Sequence, residues 1–153
     1  LIHVPNVQQS PAMCGPASLR AALLAFGVDR TEADLAALAG ATYERGTTPG
    51  GLLRAAQACG VAATLHQAAT YEQLRGWLGE GAVPIVNWFA STDGHHSVVV
   101  HVGPKRIALM DPDRAARRWL SRATFETVWF DYDLIDGSPT FWWHCAVVLH
   151  KPS

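Results

Sequence analysis

Helix signals fill the first half of this chain and strand signals the second, and that segregation constrains the fold more than any other feature. From Cys14 the apolar residues Leu19, Ala22, Leu23 and Phe26 recur at helical spacing, and Gly27 stands where the helix would be capped. Thr31 to Asp34 reads as a second helix start, with Leu35 and Leu38 facing inward and Gly40 as the stop. Thr48-Pro49 opens a third helix, since proline is favoured in a first turn; it runs through Leu52, Leu53, Ala56 and Cys59 to Gly60. Thr70 with Gln73 makes a capping box for a fourth, carrying Leu74, Trp77 and Leu78. Strand candidates are Val61 to His66, Val83 to Phe89, His96 to Val102, Arg106 to Met110 and a long aromatic run from Thr140 to His150. Gly103-Pro104-Lys105 joins two of them as a hairpin, and Ala123 to Phe130 reads as a short helix. Helices first and mostly antiparallel strands later predict an α+β fold, a helical lobe packed on a sheet lobe.

At 153 residues the chain is expected to form one domain, 1–153, with a sizeable core. A net charge of −1 offers no electrostatic footprint for nucleic acid or an anionic membrane. No apolar run approaches the roughly 20 residues of a membrane span, and no signal peptide is recognisable. The chain opens on Leu1 rather than Met, as expected of a piece of something longer. Three cysteines, Cys14, Cys59 and Cys145, cannot complete a disulfide framework, which favours a reducing, cytoplasmic compartment or a free reactive thiol. Cys59 and Cys145 lie in apolar runs and read as buried small hydrophobes.

Cys14 has different flanks. Gln-Gln-Ser-Pro-Ala-Met-Cys-Gly-Pro-Ala, residues 8–17, places it where a loop becomes a helix, with the Gln8 amide six residues upstream. Helix N-termini carry partial positive charge and unpaired N–H groups, which favour a thiolate. Gln8 is then the candidate donor to a developing oxyanion. A thiolate needs a base, and the base needs an orienting group. His95-His96-Ser97-Val98-Val99-Val100-His101 starts and ends a strand with histidines. Alternation puts His95, Ser97, Val99 and His101 on one face and His96, Val98, Val100 and Val102 on the other, more apolar one. His96 is the expected base, and Asp111, at the end of the next strand, its expected partner across the hairpin. Zinc held by His95, His96 and His101 with Cys14 or Asp111 is disfavoured, because alternation turns His96 away and no metal-ligand spacing appears. No cofactor is expected. The six Trp residues are candidates for a peptide groove or for core packing, and one of Trp142 and Trp143 should face the core.

These motifs together resemble the C39 peptidases, papain-like domains that cut bacteriocin leader peptides after a double glycine. Cys14-Gly15-Pro16-Ala17-Ser18-Leu19 is similar to the family's helix start; Gly46 to Leu52 and Ala55 to Val61 resemble its middle helix. Gly81-Ala82-Val83-Pro84-Ile85-Val86, His96 to Val100 and Asp111-Pro112 match its strand, His and Asp motifs. Members often carry an aromatic residue just after the His, where this chain has Ser97. The resemblance implies a papain-like cysteine peptidase with catalytic Cys14, His96, Asp111 and Gln8. It implies a peptide or protein substrate with Gly-Gly at the cut. C39-like domains also occur as tips of toxins delivered between bacteria, for which an inhibitory or immunity protein is the expected partner. Alternatives on the same fold are a peptide-binding module without turnover, and a deamidase or transpeptidase.

Overall fold

The computed structural model describes residues 2–91, 93–135 and 138–152. Helices form where the sequence signals them. The first, α1 (Cys14–Ala25), stops before Gly27, whose φ of 78° is easy only for glycine. Thr31 accepts the Asp34 amide at the start of α2 (Glu32–Ala39), and Thr48 accepts the Gly51 amide at the start of α3 (Pro49–Ala58). Thr70 and Gln73 close a reciprocal capping box on α4 (Tyr71–Gly79). Ser121 caps the short α5 (Arg122–Val128). Leu38 departs from expectation. The eight-residue α2 docks through Leu35 and Ala39, one turn apart, and leaves Leu38 at the rim, 39% exposed.

Six strands, β1 (Ala63–His66), β2 (Val83–Phe89), β3 (Gly94–Val102), β4 (Arg106–Asp111), β5 (Ala116–Ser121) and β8 (Ala146–Leu149), build one antiparallel sheet in the order β1-β8-β2-β3-β4-β5. A separate two-stranded ribbon pairs β6 (Phe130–Ile135) with β7 (Ser138–Trp143). β5 and β6 were not among the expected strands, because Arg117, Arg118, Asp131 and Asp133 break their apolar pattern. The expected strand from Thr140 to His150 is two strands in two sheets. The chain turns between them at His144, where φ is 47°.

The central strands read as unbroken apolar runs because both of their faces are buried. Val83 and Ile85 of β2, Val98 of β3, Met110 of β4, and Val147 and Leu149 of β8 pack with Leu19, Leu23, Leu35 and Leu52 from α1 to α3. Val86 and Trp88, Val99, Leu109, and Ala146 and Val148 face the other way, onto Tyr71 and Leu74 of α4, Phe125 of α5 and Trp129. Each wholly buried leucine contributes about 2 kcal/mol through removal from water. α3 reaches close to α2 because Gly51 has no side chain; a Cβ there would overlap the Ala39 carbonyl oxygen.

One irregularity matters for the site. β3 pairs Val99 with Leu109 but His101 with Ala108, so Val100 is an extra residue, a bulge. The bulge breaks the expected alternation. Val102 joins Val99 in the second core instead of lying with His96 and Val98. His101 is exposed, and its ring sits 5.5 Å from Trp119.

Candidate active site

Cys14 is the first residue of α1, and its N-cap, Met13, supplies no side-chain hydrogen bond. The first-turn N–H groups therefore remain available beside the sulfur. Gly15 follows because the loop ahead of α3 presses on the helix start: a Cβ at Gly15 would meet Thr47 Cβ at 2.9 Å. One turn later Ser18 Oγ donates to the His96 carbonyl at 3.2 Å, tying α1 to the start of β3.

Two imidazoles flank the sulfur. His96 Nδ1 lies 3.9 Å from Cys14 Sγ, and the His95 imidazole, in the same cleft, also acts on the thiol. Burial alone would raise the thiol pKa. Hydrogen bonds from His95 and His96, and their charge, outweigh it and bring Cys14 down to about 5. The other cysteines differ. Cys145 is buried in apolar surroundings and pushed up to about 12, while Cys59 is half-buried against the first core; all three are free thiols.

Asp111 bonds His95, not His96. His95 Nε2 lies 2.5 Å from Asp111 Oδ1, while the second oxygen faces Arg118 Nη1 at 3.4 Å. The backbone N–H of Asp113 also donates to Oδ1 at 3.0 Å. The reason is strand register. Val98 pairs with Met110, so Asp111 falls opposite Ser97 and shares a face with His95, Ser97 and Leu109. The expected His96–Asp111 pair would need a one-residue slip. Burial works against a charged His95, but the bonds to Asp111 and Cys14 outweigh it and raise His95 to about 9. The Asp111 carboxyl is held below its ordinary range: burial opposes ionisation, and the His95 bond overcomes it. Trp88 packs edge-on against the His95 ring, and its Nε1 donates to Ser97 Oγ at 3.0 Å.

Gln8 is also displaced from its expected place. Its amide donates to the Pro112 and Asp113 carbonyls, at 3.2 and 2.9 Å, and clamps the N-terminal segment to the turn after Asp111. Its neighbour Gln9 lines the cleft instead. Met13 N–H bonds the Ser10 carbonyl at 3.0 Å, and Ala12 has a φ of 65°. Gln9, just before this tight turn, lines the same cleft as Cys14. Gln9 Oε1 is buried without a hydrogen-bond partner among the described residues, while Nε2 donates to the Ser10 carbonyl. A half-turn of the amide would put its N–H groups where the unpartnered oxygen now lies.

The cleft over these groups holds about 700 Å³. Cys14, His95, Asp111 and Gln9 line it, with Thr47 on one side and Asp131, Tyr132 and Trp142 from the ribbon on another. His96 lies behind this surface and is 4% exposed. Neither Trp142 nor Trp143 is a core residue; Trp142 lines the cleft and Trp143 is 46% exposed. Among the described residues no helix is long and apolar enough to cross a membrane.

Comparison with known proteins places this geometry in context. The chain is 37% identical over 105 residues to an uncharacterized protein of Methanothermobacter marburgensis, covering 69% of this chain and 68% of that one. Its fold matches the peptidase domain of Streptococcus ComA, a bifunctional ABC transporter involved in a quorum-sensing pathway, at a TM-score of 0.77 and 22% identity. That match covers 98% of this chain and all of that domain. It also matches a double-glycine-motif protease from an AMS/PCAT transporter, solved with its leader peptide, at a TM-score of 0.73 and 17% identity over 98% and 94% of the two chains. The peptidase C39 family model matches residues 4–136, and the chain belongs to that family.

Proposed function

We propose that this protein is a cysteine endopeptidase in which Cys14 is the nucleophile, His95 the proton carrier and Asp111 the group that orients it. The observation that carries the reading is that Cys14, His95 and Asp111 line one cleft, with the Asp111 carboxylate 2.5 Å from His95 and the thiol pKa lowered by the imidazoles. With Nε2 held by Asp111, Nδ1 is the ring nitrogen of His95 left for proton transfer.

The resting site holds a thiolate and an imidazolium. The sulfur attacks the scissile carbonyl carbon, and the carbonyl electron pair moves to oxygen. The Cys14 backbone N–H and the Gln9 amide receive that oxyanion. His95 gives its proton to the departing amine, leaving a thioester on Cys14. A water then loses its proton to His95 as it attacks the thioester, which frees the acid product and restores the ion pair.

The substrate is proposed to carry Gly-Gly before the cut, by analogy with the double-glycine protease that shares the fold. The test is incubation with a leader-like Gly-Gly peptide, read by mass spectrometry. Hydrolysis gives two fragments whose masses sum to peptide plus water, and none with Cys14→Ala. An uncut but deamidated or ligated peptide would replace hydrolysis with another acyl transfer. No covalent change at all, on this peptide or on a proteome read by its new N-termini, would end the enzyme reading.

A further inference from the structure

His96 is unexplained by that mechanism. It is buried, its ring does not reach the cleft surface, and its carbonyl is fixed by Ser18. Yet its Nδ1 faces the sulfur at 3.9 Å. We propose that His96 is a second imidazole serving the Cys14 sulfur: a positioning residue that holds the thiolate while His95 alone carries the proton. This rests on the proposed identity of Cys14 as the nucleophile.

The division of labour follows from access. A ring shut behind the cleft cannot meet a leaving amine or an attacking water, so it cannot serve as the acid or base for substrate. It can donate Nδ1–H to the sulfur. That donor fixes the thiolate and spares His95 from being its sole partner.

The surroundings of His96 suit a donor. From β2, Asn87 pairs directly across from it and is itself buried near the Asp131 carboxylate. From β6, the half-buried Asp131 carboxylate lies within the field of His96 and packs directly against Gly94. From α1 the facing titratable group is Cys14, and on β3 itself it is His95 with Asp111 behind it. His96 Nε2 has no hydrogen-bond partner among the described residues, so the ring's one protein partner at a nitrogen is the sulfur. Nδ1 is therefore the ring nitrogen placed to donate to the sulfur.

The experiment is iodoacetamide alkylation of the intact chain from pH 4 to 10, followed by mass, which needs no substrate. Wild-type protein is expected to titrate near 5. His96→Phe keeps a ring of similar size without nitrogens; its midpoint should rise by about one unit, with alkylation at pH 4 about tenfold slower. His96→Gln keeps a donor without charge and should fall between. On a Gly-Gly peptide, His96→Phe should retain turnover with its acid limb displaced by the same amount, whereas His95→Phe should lose it. An unchanged alkylation midpoint in a natively melting His96→Phe or His96→Gln protein overturns the proposal. Loss of turnover in His96→Phe as complete as in His95→Phe overturns it as well, since His96 would then be the proton carrier. If no peptide is cut but the midpoint moves as expected, the peptidase reading fails and the role of His96 stands.

Discussion

Replacing Asp111 with Asn tests the heart of the site, because it removes one charge and keeps the shape. His95 rises from 6.5 to about 9 against the pull of its own burial. That rise corresponds to about 3 kcal/mol in favour of the imidazolium, at ~1.4 kcal/mol per tenfold change in proton affinity. Asp111 is the first of the groups that oppose burial, followed by Cys14. If the carboxylate supplies half of the effect or more, the variant loses about 1.5–3 kcal/mol and His95 falls to about 8 or below. At pH 8 the imidazolium that stabilises the thiolate and protonates the leaving amine becomes the minority form. The expected loss in kcat/KM at that pH is about 2- to 15-fold, against a much smaller loss near pH 6. Two assays read this. The alkaline limb of kcat/KM should move from about 9 toward neutrality, and NMR of ¹³C-labelled histidine should show the same displacement at His95. The two steps belong to the Cys14–His95 pair, so both limbs should be fitted together. A folded Asp111→Asn protein whose alkaline limb and His95 titration both stay near 9 refutes the reasoning.

Other substitutions separate neighbouring roles. Gln9→Ala should lower turnover by about 10²-fold if its amide receives the oxyanion, whereas Gln8→Ala should retain turnover and lose stability by about 1–2 kcal/mol through its two carbonyl clamps; the reverse pattern in steady-state rates and urea melts would restore Gln8 to the site. Cys14→Ala should fold and lose turnover, and it should also change how stability depends on pH. Between pH 6.5 and 9 the folded pair holds one proton, on His95, and the unfolded chain also holds one, on the thiol, so the pair leaves wild-type stability flat there. Without the thiol only the His95 contribution remains. It is full below 6.5 and fades as pH rises through the folded His95 value, so the urea midpoint of Cys14→Ala should fall across that window while that of wild type does not. Gly51→Ala should cost about 1–3 kcal/mol in a denaturant melt, because the added Cβ forces α3 away from the Ala39 carbonyl; an unchanged midpoint would mean that the helix pair can separate freely.

The helices were legible because their signals are local. A threonine three residues before the amide it accepts from needs nothing from the rest of the chain, and Thr31, Thr48 and Thr70 all cap where they were expected to. The central strands were legible from their apolar runs. β5 and β6 were not, since each is charged and half-exposed. Arg117 and Arg118 point one strand toward the N-terminal segment and Asp111, where their partners come from more than a hundred residues away or from across the sheet. The break at His144 was equally hidden. Its left-handed backbone conformation is sustained by tertiary bonds of its ring to the Ala69 and Glu126 carbonyls, at 3.0 and 3.1 Å.

At the site, residue types were readable and pairings were not. Cys14 and Asp111 carry signals in their own flanks, a helix start and a strand end. Choosing between His95 and His96 required knowing which face of β3 looks at Asp111, and a strand pattern cannot supply that for a residue at the very start of its run. The packing of the structure supplies it. Met110 is apolar and belongs with Val98 in the first core, so Asp111 must turn to the opposite face, where His95 and not His96 is found. The bulge at Val100 hid this, because counting back from His101 through a regular hairpin gives the wrong face. The same geometry explains why a doublet serves here better than a single histidine. Successive strand residues point to opposite sides. Adjacent imidazoles at a strand start can therefore approach one sulfur from two directions, one open to the cleft and backed by Asp111, the other sealed behind it.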